Sequence, residues 1–198
     1  MKIIECVQGS PEWYAAKCGI PSASNFDKIL CADGKVSKQR TKYLYQLAGE
    51  TITGIAEESY QNATMLRGKE IEGEARQLYN LITEQEVVEV GFCLANGFGC
   101  SPDGLVGKKG LVEIKSPIMA THVGYLLDHF ATPPAEYFLQ LQGQLLVTDR
   151  DWVDFMSYYP GLKPLIIRVK REEKFLKALK IELEVFCAEL KEVIAKIK

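Results

Sequence analysis

Ser101-Pro102-Asp103-Gly104, followed by Leu111-Val112-Glu113-Ile114-Lys115-Ser116, decides how this chain is read. Residues 111–116 form a short, strand-like run. Side chains alternate across a strand, so Glu113 and Lys115 share one face and Val112 and Ile114 the other. Val112 and Ile114 can anchor the strand in a core, which would hold a carboxylate and an ammonium side by side on a fixed support. Asp103, from a neighbouring strand, adds a second carboxylate. Magnesium takes hard oxygen ligands, usually one or two carboxylates with water and substrate phosphate completing the octahedron. One or two such ions can activate water against a phosphodiester. Lys115 would orient that water, help deprotonate it and offset developing charge. Taken alone, the same residues also suit an Asp-Gly hairpin turn and a solvated strand face.

Outward from this strand, the pattern is that of one mixed α/β domain over residues 1–198, with an N-terminal helical region (10–82) and a C-terminal amphipathic helix (171–197). Ser10-Pro11-Glu12 predicts a helix N-cap with proline at the first helical position, the helix ending near Gly19. Residues 22–30 predict a second short helix, and Ser37 is expected to cap a longer one that stops at Gly54. A further helix is expected over 61–82. Strands are predicted at 84–94, 98–105, 111–116, 152–159 and 164–169, with turns at Asn96-Gly97 and Gly107–Gly110. Helices are predicted at 118–130 and 134–147. The last segment alternates Lys and Glu over the apolar stripe Phe175, Leu179, Leu183, Phe186, Leu190 and Ile194. A mixed central sheet flanked by helices follows.

The 198 residues carry a formal net charge of −2. Positive charge is nevertheless clustered at 35–42 (Lys35, Lys38, Arg40, Lys42) and again at Lys170, Arg171, Lys174, Lys177 and Lys180. Affinity for DNA depends on the charges that face phosphate rather than on the total. The first cluster reads equally well as a solvated helix start. The six cysteines are scattered without a Cys-x-x-Cys, which suits reduced thiols rather than a disulfide frame or a metal site. No signal-peptide core and no membrane-length apolar run is visible, so a cytoplasmic protein is expected. His122 and His129, seven apart, share a helical face. With no third ligand nearby they are expected at the surface or an interface, not on a metal.

Asp103 with Glu113-Ile114-Lys115 resembles the PD-(D/E)xK signature, and the chain resembles the lambda-type phage exonucleases, or viral recombinase nucleases. Four further blocks are similar, in the same order. They are Trp13-Tyr14-Ala15-Ala16-Lys17-Cys18-Gly19-Ile20 with Ser22-Ala23-Ser24; Gly68-Lys69-Glu70-Ile71-Glu72-Gly73-Glu74-Ala75-Arg76; Cys100-Ser101-Pro102-Asp103-Gly104-Leu105; and Tyr137-Phe138-Leu139-Gln140-Leu141-Gln142. The similarity spans roughly residues 10–170.

The resemblance implies a restriction-endonuclease-like core and a magnesium-dependent exonuclease, with manganese substituting and two ions per site. It would digest one strand of double-stranded DNA from its 5′ end and leave a 3′ overhang for recombination by strand annealing. It further implies a ring-shaped homotrimer around DNA, a single-strand annealing protein as partner, and a phage or prophage origin in a bacterial cytoplasm. The metal ligands implied are Asp103, Glu113, the backbone carbonyl of Ile114, and Glu72. Helical geometry alone does not choose between Glu72 and its neighbours Glu70 and Glu74. Lys115 and Gln140 complete the implied catalytic set, although Gln142 and Gln144 are equally polar. Lys17, Ser22, Ser24 and Ser101 match positions that gather around a 5′-phosphate, and Met65 matches an apolar wedge at the DNA end, a place where a core-filling Met is as good a reading.

Lys17 stands where the family often has Arg. An ammonium lacks the two-pronged contact of a guanidinium, so a weaker preference for phosphorylated ends is expected. Equal digestion of 5′-phosphoryl and 5′-hydroxyl duplexes would remove the pocket from the account. The alternatives are an endonuclease or junction resolvase on the same core, or a non-catalytic DNA-end-binding subunit.

Overall fold

The computed structural model describes residues 1–57, 63–128 and 131–198; the side chains at 63–66 and 68–70 are also outside it. Met65 and His129, both singled out by sequence, therefore lie outside the described side chains and residues.

The central element is β6 (Gly110–Lys115), the middle strand of a five-stranded sheet. Its neighbours are β5 (Gly104–Val106), antiparallel, and β7 (Trp152–Ser157), parallel. The edges are β2 (Val87–Val88) and β8 (Leu165–Lys170), giving the order β2-β5-β6-β7-β8. A second sheet of three strands, ordered β1-β3-β4, joins β1 (Lys2–Ile4), β3 (Phe92–Ala95) and β4 (Phe98–Cys100). β3 and β4 meet at Asn96 (φ 55°) and Gly97 (φ 87°). Two successive positive φ values make the hairpin turn whose twist matches the strands, and Asn-Gly is the pair that adopts it most readily.

Helix α3 (Ala63–Thr83) covers one face of the five-stranded sheet, where Ala75 and Tyr79 pack on Val112, Ile114 and Met156. Helix α5 (Phe138–Thr148), entered through a 3₁₀ turn at Ala135–Tyr137, covers the other face and the smaller sheet. Leu141 and Leu145 there join Leu111, Val153 and Phe155. The C-terminal α6 (Glu173–Ile197) lays its apolar stripe on α2 (Arg40–Thr53), with Leu179, Leu183 and Phe186 fully buried. The remaining helices are α1 (Pro11–Lys17) and α4 (Met119–Asp128). No helix among the described residues is long and apolar enough to cross a membrane.

Several boundaries differ from the sequence reading for identifiable reasons. The strand expected at 98–105 is two strands in two sheets, and Ser101–Asp103 is the link between them. The strand expected at 84–94 divides likewise into β2 and β3, and β1 was not expected at all. Segment 22–30 is a 3₁₀ turn (Ala23–Lys28). Ser37 lies two residues too early: the N-cap of α2 is Gln39, whose N–H donates to Ser37 Oγ at 3.4 Å. By contrast Ser10 does cap α1, accepting from Trp13 N at 3.3 Å.

His122 is not a surface residue but fully buried. Its Nε2 donates to the Lys163 carbonyl at 3.0 Å, since a carbonyl only accepts, and Nδ1 lies 2.7 Å from Ser157 Oγ. The amphipathic pattern of α4 simply points this ring inward. The 35–42 cluster is partly spent within the molecule: Lys35 pairs with Asp33 at 2.6 Å, and Arg40 with Glu182 at 2.9 Å and Glu189 at 2.5 Å.

Candidate active site

Alternation along β6 works as the sequence predicts. Val112 and Ile114 face α3, whereas Glu113 faces α5. Glu113 is 3% exposed in the middle of a sheet. A buried carboxylate must be hydrogen-bonded or neutralised, and three donors do this. Oε1 accepts from Lys115 Nζ at 2.6 Å and from Gln140 Nε2 at 2.5 Å, and Oε2 accepts from Gln144 Nε2 at 2.6 Å. Gln140 and Gln144 are one helical turn apart, so α5 presents both amides to one carboxylate. The Lys115 ammonium also stands 5.3 Å from the Tyr137 ring centroid.

Asp103 reaches the same place from the link between the sheets. Its Oδ2 accepts from the Ile114 backbone N–H at 2.6 Å. The link is clamped from behind: Gln8 Nε2 donates to the Val90 and Pro102 carbonyls at 2.9 and 2.8 Å. Gly104 permits the close approach of β2, because a Cβ there would meet Val87 Cγ1 at 2.0 Å. Glu72, on α3, is tied to Arg76 at 2.5 Å, and Arg76 also pairs with Glu89.

The electrostatics join these groups. Burial, and then the charges of Glu113 and Glu72, hold the Asp103 carboxyl well above the usual carboxylate range. Burial likewise raises Glu72, against the pull of Arg76 and with a further push from Glu113. Burial alone would lower the Lys115 ammonium, yet Glu113 and Asp103 raise it above its ordinary value. Among the described residues no three carboxylate, imidazole or thiol groups form a ready-made metal cage. Asp103 and Glu113 are hard oxygen donors of the kind that could hold a divalent cation, with water and phosphate completing its shell. Carboxyls such as Asp103 and Glu72, held up by burial and by the charge of Glu113, are the environment a divalent cation relieves.

Beside Glu113 lies a cavity of about 170 Å³ lined by Trp13, Lys17, Ser22, Ser24, Ser101, Gln140 and Gln144, with Phe92 and Ala23. The four residues expected to gather around a phosphate thus share one cavity with both glutamines. Trp13 organises it: its indole N–H donates to Ser101 Oγ at 2.8 Å, and Lys17 Nζ stands 4.1 Å from its ring centroid. Ser22 and Ser24 bring their hydroxyls within 3.3 Å. Burial, with Lys28 nearby, lowers the Lys17 ammonium against the pull of Glu50. Gln8 was not singled out from the sequence; Trp13 stood within a matching block with no role, and Gln144 only as an equally polar neighbour of Gln140. The i,i+4 spacing of Gln140 and Gln144 was the one available signal for Gln144.

Fold and site define an α/β core of the PD-(D/E)xK type. Residues 12–151 match the YqaJ-like viral recombinase domain, and the chain belongs to that family. Among solved structures it is similar to an alkaline exonuclease, LHK-Exo, from Laribacter hongkongensis, at 35% identity and TM-score 0.85 over 95% of this chain and 96% of that one. LHK-Exo in complex with dAMP is similar at 36% identity, with TM-score 0.85 and 96% of each chain covered. A phage-related exonuclease from Haemophilus somnus 129PT shares the fold at TM-score 0.70 and 14% identity, over 93% of this chain and 99% of that one. No curated protein matches the chain at a significant level.

Proposed function

We propose that the chain is a divalent-metal-dependent exodeoxyribonuclease that digests one strand of double-stranded DNA from its 5′ end. That it is a nuclease follows from its family and from the 35% identity with an alkaline exonuclease over 95% of its length. The observation that carries the finer reading is the join between two features. A carboxylate–ammonium centre at Glu113, Lys115 and Asp103 is joined, through Gln140 and Gln144, to a cavity holding Lys17 and three serines.

The roles follow from the contacts. Asp103 and Glu113, with the Ile114 carbonyl and Glu72, would hold magnesium, or manganese in its place; one or two such ions supply Lewis-acid activation of water and stabilisation of the leaving oxygen. Lys115 places a proton-carrying group beside the attacking water. Gln140 holds Glu113 and orients that water. Lys17 and the hydroxyls of Ser22, Ser24 and Ser101 offer a cation and hydrogen-bond donors to a terminal phosphate. The relative crystallised with dAMP carries a deoxynucleoside monophosphate, the chemical class such an enzyme would release. A homotrimeric ring and a single-strand annealing partner belong to the same proposal and rest on the family alone.

Linear and covalently closed circular duplexes, incubated with Mg²⁺, separate this reading from its rivals. Digestion of the linear form with the closed form intact is expected. Cutting of the closed form would favour the endonuclease or resolvase, and no cutting of either would favour a DNA-end-binding subunit.

A further inference from the structure

We infer that Gln144 is a positioning residue of this centre, one that both fixes Glu113 and supplies an acceptor to a water in the cavity. The inference rests on reading the site as a divalent-cation hydrolytic centre.

Gln144 is 1% exposed. Its Nε2 donates to Glu113 Oε2 at 2.6 Å, which fixes the orientation of the amide: a carboxylate only accepts, so the NH₂ end must face it. The amide oxygen must then point elsewhere. There it is buried and lacks a hydrogen-bond partner, one of three such side-chain atoms among the described residues. A buried amide oxygen left unsatisfied forfeits its hydration without a replacement, so a native protein rarely leaves one without a purpose. This one belongs to a side chain that lines the cavity of about 170 Å³ containing Lys17 and Ser101. A cavity of that size, with hydroxyls and an ammonium on its wall, readily admits water.

Gln140 and Gln144 therefore divide the work on one carboxylate. Gln140 shares Oε1 of Glu113 with Lys115, whereas among the described residues Gln144 alone holds Oε2. Loss of Gln144 frees Oε2 to rotate and removes the acceptor. Groups that orient a metal-ligating side chain typically alter metal affinity or activity about 10–100-fold.

The test is calorimetric titration of Mn²⁺ into wild-type protein and Gln144→Met, with kcat and KM for end digestion measured at saturating Mn²⁺. Gln144→Met keeps the length and removes both hydrogen-bonding groups. Its Kd for Mn²⁺ is expected to weaken about 10–100-fold, with kcat lowered and KM for DNA little changed. Melting in chelator confirms that it folds. A folded Gln144→Met with wild-type Mn²⁺ affinity and kcat would overturn the inference. If it does not fold, Gln144→Glu serves, since it retains an oxygen but, when ionised, cannot donate. It is expected to bind Mn²⁺ at least as tightly yet turn over about tenfold or more slowly, and unchanged turnover would overturn the inference. Wild-type protein that neither binds Mn²⁺ nor digests DNA would instead remove the underlying reading.

Discussion

Two carboxylates sit on adjacent parallel strands of the same sheet, on opposite faces and with different partners. Asp154 on β7 is 2% exposed and Glu113 on β6 is 3% exposed. Asp154 lies opposite Val112, on the α3 face, and Glu113 opposite Phe155, on the α5 face. Asp154 is closed off: Arg168 meets Oδ1 and Oδ2 at 2.8 and 2.9 Å, and Tyr79 donates to Oδ2 at 2.7 Å. Arg168 itself lies over Trp152, 3.5 Å from the ring centroid. Glu113 has as many donors, but one is a lysine and two are amides on a cavity wall. Burial and full hydrogen bonding therefore do not distinguish a site from a structural pair. A bidentate guanidinium satisfies a carboxylate permanently, whereas an ammonium and amides beside an open cavity can be shared with an incoming group.

Substitutions on each side should separate the two. Lys115→Ala is expected to lower the nucleotide release rate about 10²–10⁴-fold, the range of a positioned proton-transfer group, with the protein still folded by circular dichroism. Unchanged release would remove Lys115 from its role. Arg168→Met should do the reverse. Asp154 is buried but Arg168 is about half exposed, so its removal leaves the carboxylate short of hydrogen-bond donors at a cost of about 1–3 kcal/mol; denaturant unfolding is expected to shift accordingly while kcat of the folded protein stays near wild type. A kcat falling with stability would make Asp154 part of the site. Gln140→Ala should lie between, with activity down about 10–100-fold and stability changed little.

The smallest effect concerns pH. Asp103 is raised in the folded state, chiefly by burial and by Glu113 and Glu72, above an ordinary value of 3.8. An acid raised by folding binds more protons in the native state, so metal-free stability falls as pH rises from that ordinary value towards the folded one. The penalty is absent below that window and complete above it. Asp103→Asn removes this dependence. In chelator it should therefore melt above wild type at pH 8, with the advantage gone near pH 3; equal melting at both pH values would contradict the electrostatic picture.

The part of this site legible in the sequence was the part carried by strand alternation. Glu113 and Lys115 on one face, with Val112 and Ile114 on the other, followed from period two. Asp103 was found as a residue, but its setting was not. Reading 98 to 105 as one strand passed over Ser101-Pro102-Asp103-Gly104, a turn signal that marks the link between the two sheets; what the signal does not say is that the chain changes sheets there. The short edge strands β1 and β2, three and two residues long, fell below what periodicity can detect. His122 was misplaced because a lone histidine on an amphipathic helix carries no sign of the buried Ser157 it meets. Gln144 was hidden for a similar reason, since polarity does not say which amide faces a carboxylate on another element. Asp154 drew no notice from the sequence, although it is as buried as Glu113.

The central claim is that Glu113, Asp103 and Lys115 form a hydrolytic centre that works inward from a 5′ end. A linear duplex labelled at the 5′ terminus of one strand and, separately, at its 3′ terminus tests it directly, with Mg²⁺ and with chelator. The account predicts early release of the 5′ label as a mononucleotide, late loss of the 3′ label, and no release of either in chelator. Early release of the 3′ label, or release that persists without a divalent cation, would contradict it.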